Sequence, residues 1–202
     1  MTKIKKSLPI ELLRQLVRMD EATGFLYWLP REPCHFTPSA TRTAEGICNQ
    51  WNGRCAGKRA FKRVDKSGYL TGIIFYQRIL THRLVFALSR GCWPVNEIDH
   101  INGKPKDNRP ANLRDVPHGE NQKNQALPTT NSSGAMGVMW NKTSGKWKAY
   151  IKIGGKNIHL GFHAEKSAAI AARRQAEVSY GFHENHGRAA ERQQKQQPRR
   201  LG

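Results

Sequence analysis

The chain has 202 residues, with 34 Lys and Arg against 15 Asp and Glu, for a formal net charge of +19. Such a surface attracts polyanions and makes binding strongly salt-dependent, but charge alone does not separate DNA partners from RNA partners. A hydrophobic content of 38% limits any core to a small one, and no apolar run approaches the roughly 20 residues that span a bilayer. The opening MTKIKKSLPIELL lacks the apolar centre and small-residue cleavage site of a secretory signal, so the expected location is cytoplasmic.

Residues 8–19 carry apolar positions at Ile10, Leu13, Leu16 and Val17, which predicts an amphipathic helix with Ser7 as a candidate cap and Pro9 near its start. Residues 20–24 read as a turn and 25–29 as a short strand. Residues 30–60, with Pro30, Pro33, Pro38, Gly46, Gly53 and Gly57, read as irregular. There Asn49, Trp51, Asn52, Arg54, Lys58 and Arg59 reach a phosphate backbone, or the segment is a solvated loop pinned by Trp51. Cys34, Cys48, Cys55 and Cys92 include no C-x2-C pair. Reduced thiols are expected, with an irregular zinc site of Cys34, His35, Cys48 and Cys55 as the alternative.

Residues 61–65 and 69–79 predict a hairpin around Asp65-Lys66-Ser67-Gly68. THRLVFALSR, residues 81–90, predicts a helix stopped by Gly91, with Leu84, Val85 and Leu88 on its apolar face. His82 at its start reads as a scaffold residue more readily than as a second catalytic histidine.

DHINGKPKDNRPANLRDVPHGENQKN follows, with the spacing His100-x11-Asn112-x8-Asn121 and Asp99 beside His100. It predicts a strand, a polar loop, a second strand at 113–116 and a short helix. One base and several oxygen ligands in one small unit suit phosphodiester hydrolysis. A neutral imidazole, with an ordinary pKa of roughly 6.5, can take a proton from water. A hard divalent cation on the Asp99 carboxylate and the Asn121 amide oxygen can stabilise the departing oxygen. Strand alternation points Asp99 and His100 to opposite faces, so the chain is expected to leave strand geometry there, with Gly103 allowing an early turn.

At these residues, from about 69 to 124, the sequence resembles the HNH endonucleases, in particular the phage and homing branch with a His-Asn-Asn signature. The resemblance implies a ββα-metal (His-Me finger) nuclease core at about 95–126. It makes His100 the general base, Asp99 and Asn121 the ligands of one Mg2+ or Mn2+, and Asn112 the residue that holds the loop and orients the histidine. Arg83, Lys104, Arg109 and Asn124 are candidate DNA contacts beside the site. His118 reads as a helix-start residue.

ALPTTNSSGAMG then reads as a linker. Strands are expected at 138–141, 147–153 and 158–162, with Gly154-Gly155 as a hairpin turn, followed by an Ala-rich helix at 165–180 stopped by Gly181. Alternation points Ala149, Ile151 and Ile153 toward the helix and Lys148, Tyr150 and Lys152 away from it. Met139, Asn141 and His159 join that outer face. GVMW, GKWKAYI and LGF resemble the AP2 DNA-binding domain, which implies that this outer face lies in the major groove. Ala164-Glu165 stands where relatives carry Asp-Thr, so a helix cap worth about 1 kcal/mol is lost.

The expected class is therefore α+β: a nuclease domain at 1–126 with an N-terminal α/β region, a linker at 127–133, and an AP2-like three-stranded antiparallel sheet on one helix at 134–186. A basic disordered tail is expected at 187–202. The expected partner is double-stranded DNA, with no membrane and no small-molecule cofactor, and the chain acts as a monomer or weak dimer. An inactive DNA-binding regulator or packaging accessory is the alternative, and general RNA binding a third reading.

Overall fold

Leu13 and Leu16 anchor the first helix, α1 (Ile10–Leu16), by burying its apolar stripe together with Ile10. The computed structural model describes residues 7–189, and the chain separates into two compact units, Met1–Val116 and Pro117–Gly202. Its class is α+β, with small antiparallel sheets only.

In the first unit, α1 is shorter than the periodicity predicts. Pro9 stands at its N-cap and no side chain caps it, so Ser7 does not serve there. At Val17 the chain becomes a strand, β1 (Val17–Asp20), paired antiparallel with β2 (Phe25–Trp28). The β-branched Val17 and the tight turn behind it favour this outcome. Gly24 closes that turn in the left-handed region, φ 69°, donating its N–H to Asp20 O.

Residues 30–60 are not irregular: they contain a second helix, α2 (Ala44–Cys55), whose Thr43 Oγ1 accepts from Gly46 N–H. Three of the six candidate phosphate contacts of this stretch, Trp51, Asn52 and Arg59, are engaged in packing, while Asn49, Arg54 and Lys58 are exposed. Asn52 donates to Arg31 O and accepts from Arg31 N–H. Arg31 lies over the rings of Trp51, Trp28, Phe75 and Phe36, and Arg59 lies 3.4 Å above the Phe25 ring centre. Cys48 is buried against Arg31 O, and all four cysteines are free thiols. Among the described residues no group of three or more His, Cys, Asp or Glu side chains could hold a metal, so Cys34, His35, Cys48 and Cys55 form no zinc site.

A three-stranded sheet follows, ordered β3 (Arg63–Val64), β4 (Leu70–Ile74), β5 (Gln77–Leu80). Asp65 Oδ1 accepts the N–H groups of Ser67 and Tyr69, which makes the predicted turn. The stretch 69–79 folds back on itself at Phe75 and Tyr76, with φ of 45° and 61°. Two-residue turns of this kind favour Asn-Gly. Left-handed geometry at each non-glycine residue costs roughly 1 kcal/mol, and Phe75 packing on the core offsets part of it.

Helix α3 (Thr81–Arg90) ends at Gly91, φ 73°, as its sequence predicts. Leu84, Val85, Ala87 and Leu88 form the centre of the core with α1, Leu26, Phe61, Ile74, Ile98 and Leu113. Each large apolar side chain buried there contributes about 1.5–3 kcal/mol. Ile98 and Leu113 belong to a hairpin, β6 (Glu97–His100) with β7 (Leu113–Val116), which is thereby fixed to α3.

The second unit starts with the short helix α4 (His118–Gln122). Its sheet runs β10 (Lys156–His163), β9 (Lys146–Ile153), β8 (Val138–Asn141), with Gly154 and Gly155 both at positive φ in the turn. Helix α5 (Lys166–Ser179) packs on the sheet through Ala169 against Val138 and Ala149, and its N-cap Glu165 makes no side-chain cap bond. A bulge between His159 and Gly161 puts Phe162 on the outer face with His159, ring centres 4.7 Å apart. Met139 pairs with Lys148 and Tyr150 with His159, so the expected outer residues share one face.

Arg173 of α5 is buried, donating to Glu177 and to Tyr150 O. Residues 127–133 are tied rather than a free linker: Leu127 N–H donates to Arg188 O, and Ser133 is buried with its hydroxyl on Ala135 O. Of the expected disordered tail, Gly187 and Arg188 are hydrogen-bonded to Gln125 and Asn124, and 190–202 lies outside the described residues. No described helix is long and apolar enough to cross a membrane.

Candidate active site

The hairpin register builds the site. Asp99 pairs with Arg114 and His100 with Leu113, so strand geometry holds through His100 rather than breaking before it. The turn comes just after, where Gly103 at φ 69° donates its N–H to His100 O. Alternation therefore sends His100 to the face of Ile98 and α3, and Asp99 to the other face.

Asp99 is buried, and its Oδ2 accepts from both Nε and a terminal nitrogen of Arg114, at 2.8 and 2.7 Å. A buried carboxylate needs such a partner. Asn112 ties the loop that follows His100. Its Oδ1 accepts from Asn102 N–H, and its Nδ2 donates to Asn102 Oδ1 and to Asp107 O. Asp107 in turn accepts from Asn102 and from Arg109. The Arg109 hydrogen bond holds the Asp107 carboxyl at about 2, below the usual carboxylate range.

Asn108 bonds the His100 ring, Nε2 lying 2.9 Å from Asn108 Oδ1 with both residues buried, whereas the Asn112 side chain bonds Asn102 and Asp107. Tyr69 stacks on the same ring at 5.8 Å, and His82 meets it edge-on at 5.2 Å. His82 is buried, and its Nδ1 has no hydrogen-bond partner among the described residues. Burial first, then the neighbouring His100, pushes its pKa down to about 3.

A neutral buried imidazole has a consequence for acid stability. The unfolded chain takes up this proton first, so the stability contributed is full above about pH 6.5 and is lost as pH falls toward 3. Going from pH 7 to pH 5 should remove on the order of 2 kcal/mol through His82 alone. Urea unfolding at the two pH values should show a smaller acid loss in His82→Leu than in the wild type; equal losses would refute this.

Three expected DNA contacts are engaged inside the protein. Arg83 donates to Asn96 O and Pro94 O, each at 2.9 Å, and so holds the loop that leads into β6. Arg109 pairs with Asp107 while staying half-exposed. Asn124 is buried, with the Arg188 guanidinium on its carbonyl and amide oxygens. Lys104 remains exposed on the loop. Asn121 sits in α4, in the second unit, its N–H on Pro117 O, and His118 bonds Gln122 one turn on.

Sequence reasoning missed Tyr69, Asn108 and the pairing of Arg114 with Asp99. The last could be reached by counting: a hairpin that pairs His100 with Leu113 puts 99 opposite 114. No sequence signal separates Asn108 from the other loop asparagines.

This hairpin, its tied loop and the helix before it fall within a match to the HNH endonuclease family at residues 80–123, and the chain belongs to that family. The chain is 34% identical over 83 residues to Protein 3.8 of Escherichia phage T7, covering 41% of this chain and 69% of that relative. No solved structure matches the chain.

Proposed function

We propose that the chain is a metal-dependent DNA endonuclease of the phage type, with His100 as general base. The observation that supports this most is the His100 ring, buried between Tyr69 and His82 and bonded to Asn108. A base must be held in place before its proton transfer is efficient. His100 accepts the proton of the attacking water, while Asn112 keeps the loop from 102 to 107 closed beneath it.

The proposed ligands, the Asp99 carboxylate and the Asn121 amide oxygen, are each hard oxygen donors of the kind a hard divalent cation takes, and their pairing is carried by the motif spacing alone. When bound, a Mg2+ or Mn2+ ion would polarise the scissile phosphoryl group and stabilise the leaving oxygen. Arg114, with two nitrogens on Asp99 Oδ2, orients that carboxylate. The limits 1–126 for the nuclease domain and 134–186 for an AP2-like domain belong to this proposal. So does a role for the outer sheet face, Met139, Asn141, Lys148, Tyr150, Lys152 and His159, in holding duplex DNA.

Supercoiled plasmid with Mg2+ or Mn2+ tests the reading. Nicked or linear product that disappears with EDTA is expected, and intact plasmid under every metal would overturn it. A second reading, an inactive DNA-binding regulator, is favoured by one observation: Asp99 already has a cationic partner in Arg114. That reading predicts binding without cutting.

The sheet carries its own prediction. Replacing Lys148 and Lys152 together by Ala should weaken duplex binding at all sequences and lower the salt slope by about 2, one for each lysine that no longer neutralises a phosphate. Filter binding across a salt series reads this. An unchanged slope would remove the sheet from the interface.

A further inference from the structure

The bond between His100 and Asn108 says more than that the ring is held. An amide oxygen can only accept, so the imidazole nitrogen 2.9 Å from Asn108 Oδ1 must donate. The neutral ring then carries its proton on Nε2, and its basic lone pair sits on Nδ1. Turning the ring by half a rotation would place a carbon against the amide oxygen and lose the bond. Tyr69 stacked on one side and the His82 edge on another leave the ring little room to tilt.

Asn108 is itself fixed. Its side chain is 2% exposed, and its backbone carbonyl lies so near Gly24 that a Cβ there would come within 2.2 Å of it. The turn between β1 and β2 thus presses on the residue that holds the base. Asn108 belongs to neither the metal-ligand pair nor the loop clamp of Asn112.

We propose that Asn108 is a positioning residue that selects the Nε2–H tautomer of His100 and makes Nδ1 the atom that takes the proton from water. Its consequence for cleavage rests on the nuclease reading; the tautomer itself does not. A base presented in the wrong tautomer can lose up to about 10⁴ in rate. A loss of about 100-fold in kcat is expected here when the acceptor is removed, with KM and DNA affinity unchanged.

The test is nitrogen-15 NMR of the full chain labelled at histidine, at pH 8 and without added metal. His100→Ala identifies the His100 signals by their loss. The wild type should show a slowly exchanging proton on Nε2 of His100. Asn108→Leu, close to Asn in size, should lose that resonance, and Asn108→Asp, which keeps an acceptor oxygen, should retain it. A proton on Nδ1 in the wild type overturns the proposal with no variant needed. So does an Nε2–H resonance that survives in Asn108→Leu, or a wild-type kcat in that variant. If the wild type cuts no DNA, the nuclease reading fails while the NMR still decides the tautomer.

Discussion

Replacing His100 by Ala should lower plasmid cleavage by about 10³-fold while leaving duplex binding at its wild-type salt dependence. The size follows from the task. General base catalysis contributes roughly 10²–10⁴, and the neighbouring His82 is in no position to take over. The His82 ring lies 5.2 Å away, but it is buried and held neutral, and helix geometry commits it to the core side of α3. The substitution also opens a space between Tyr69 and His82, so folding must be checked by the unfolding midpoint. That space offers a sharper control. Free imidazole added to His100→Ala should restore part of the rate, because the vacated slot keeps the Asn108 oxygen at its rim. A variant that cuts at the wild-type rate would mean that another group is the base, and the site would have to be sought elsewhere.

How much of this was legible in the sequence depends on what each residue answers to. The β6–β7 hairpin and the three-stranded sheet were, because alternation and turn chemistry are local. Gly103, Gly154 and Gly155 do take positive φ where turns were expected. Helix α2 was not, since Gly46 and Gly53 interrupt it and it buries only Cys48, leaving no apolar stripe to read. The turn at Phe75-Tyr76 was hidden for the opposite reason: it uses residues that local preference argues against, and only packing of Phe75 on the core explains it. In the site, the chemically capable residues stood out as a set. Their assignments to one another did not. Asn108 and Asn112 are equally polar loop residues four apart, and only the path of the loop decides that one meets the imidazole and the other the chain ends. Arg83 and Asn124 read as surface contacts because polar side chains usually are. Here carbonyls of the chain already take the first, and burial takes the second.

The N-terminal hairpin ties these levels together, and Gly24 is where it can be tested. Gly24→Ala should destabilise the first unit by roughly 2–4 kcal/mol, combining left-handed strain of about 1 kcal/mol with overpacking of about 1–3 kcal/mol. The new Cβ would stand 2.2 Å from the carbonyl carbon and oxygen of Asn108 and 2.5 Å from Arg109 N, and backbone cannot swing aside as a side chain can. Something must move, and what moves is the residue bonded to His100. Gly57→Ala is the matched control: its φ is 74°, close to the 69° of Gly24, but nothing lies within 4 Å of its added Cβ. It should cost only the left-handed strain of about 1 kcal/mol and leave cleavage untouched. Thermal unfolding should therefore separate the two variants by on the order of 10 °C, and cleavage measured well below both midpoints should fall in Gly24→Ala alone. If the two glycines prove equally tolerant in both measurements, the hairpin does not brace the loop, and the position of Asn108 must come from the loop's own hydrogen bonds.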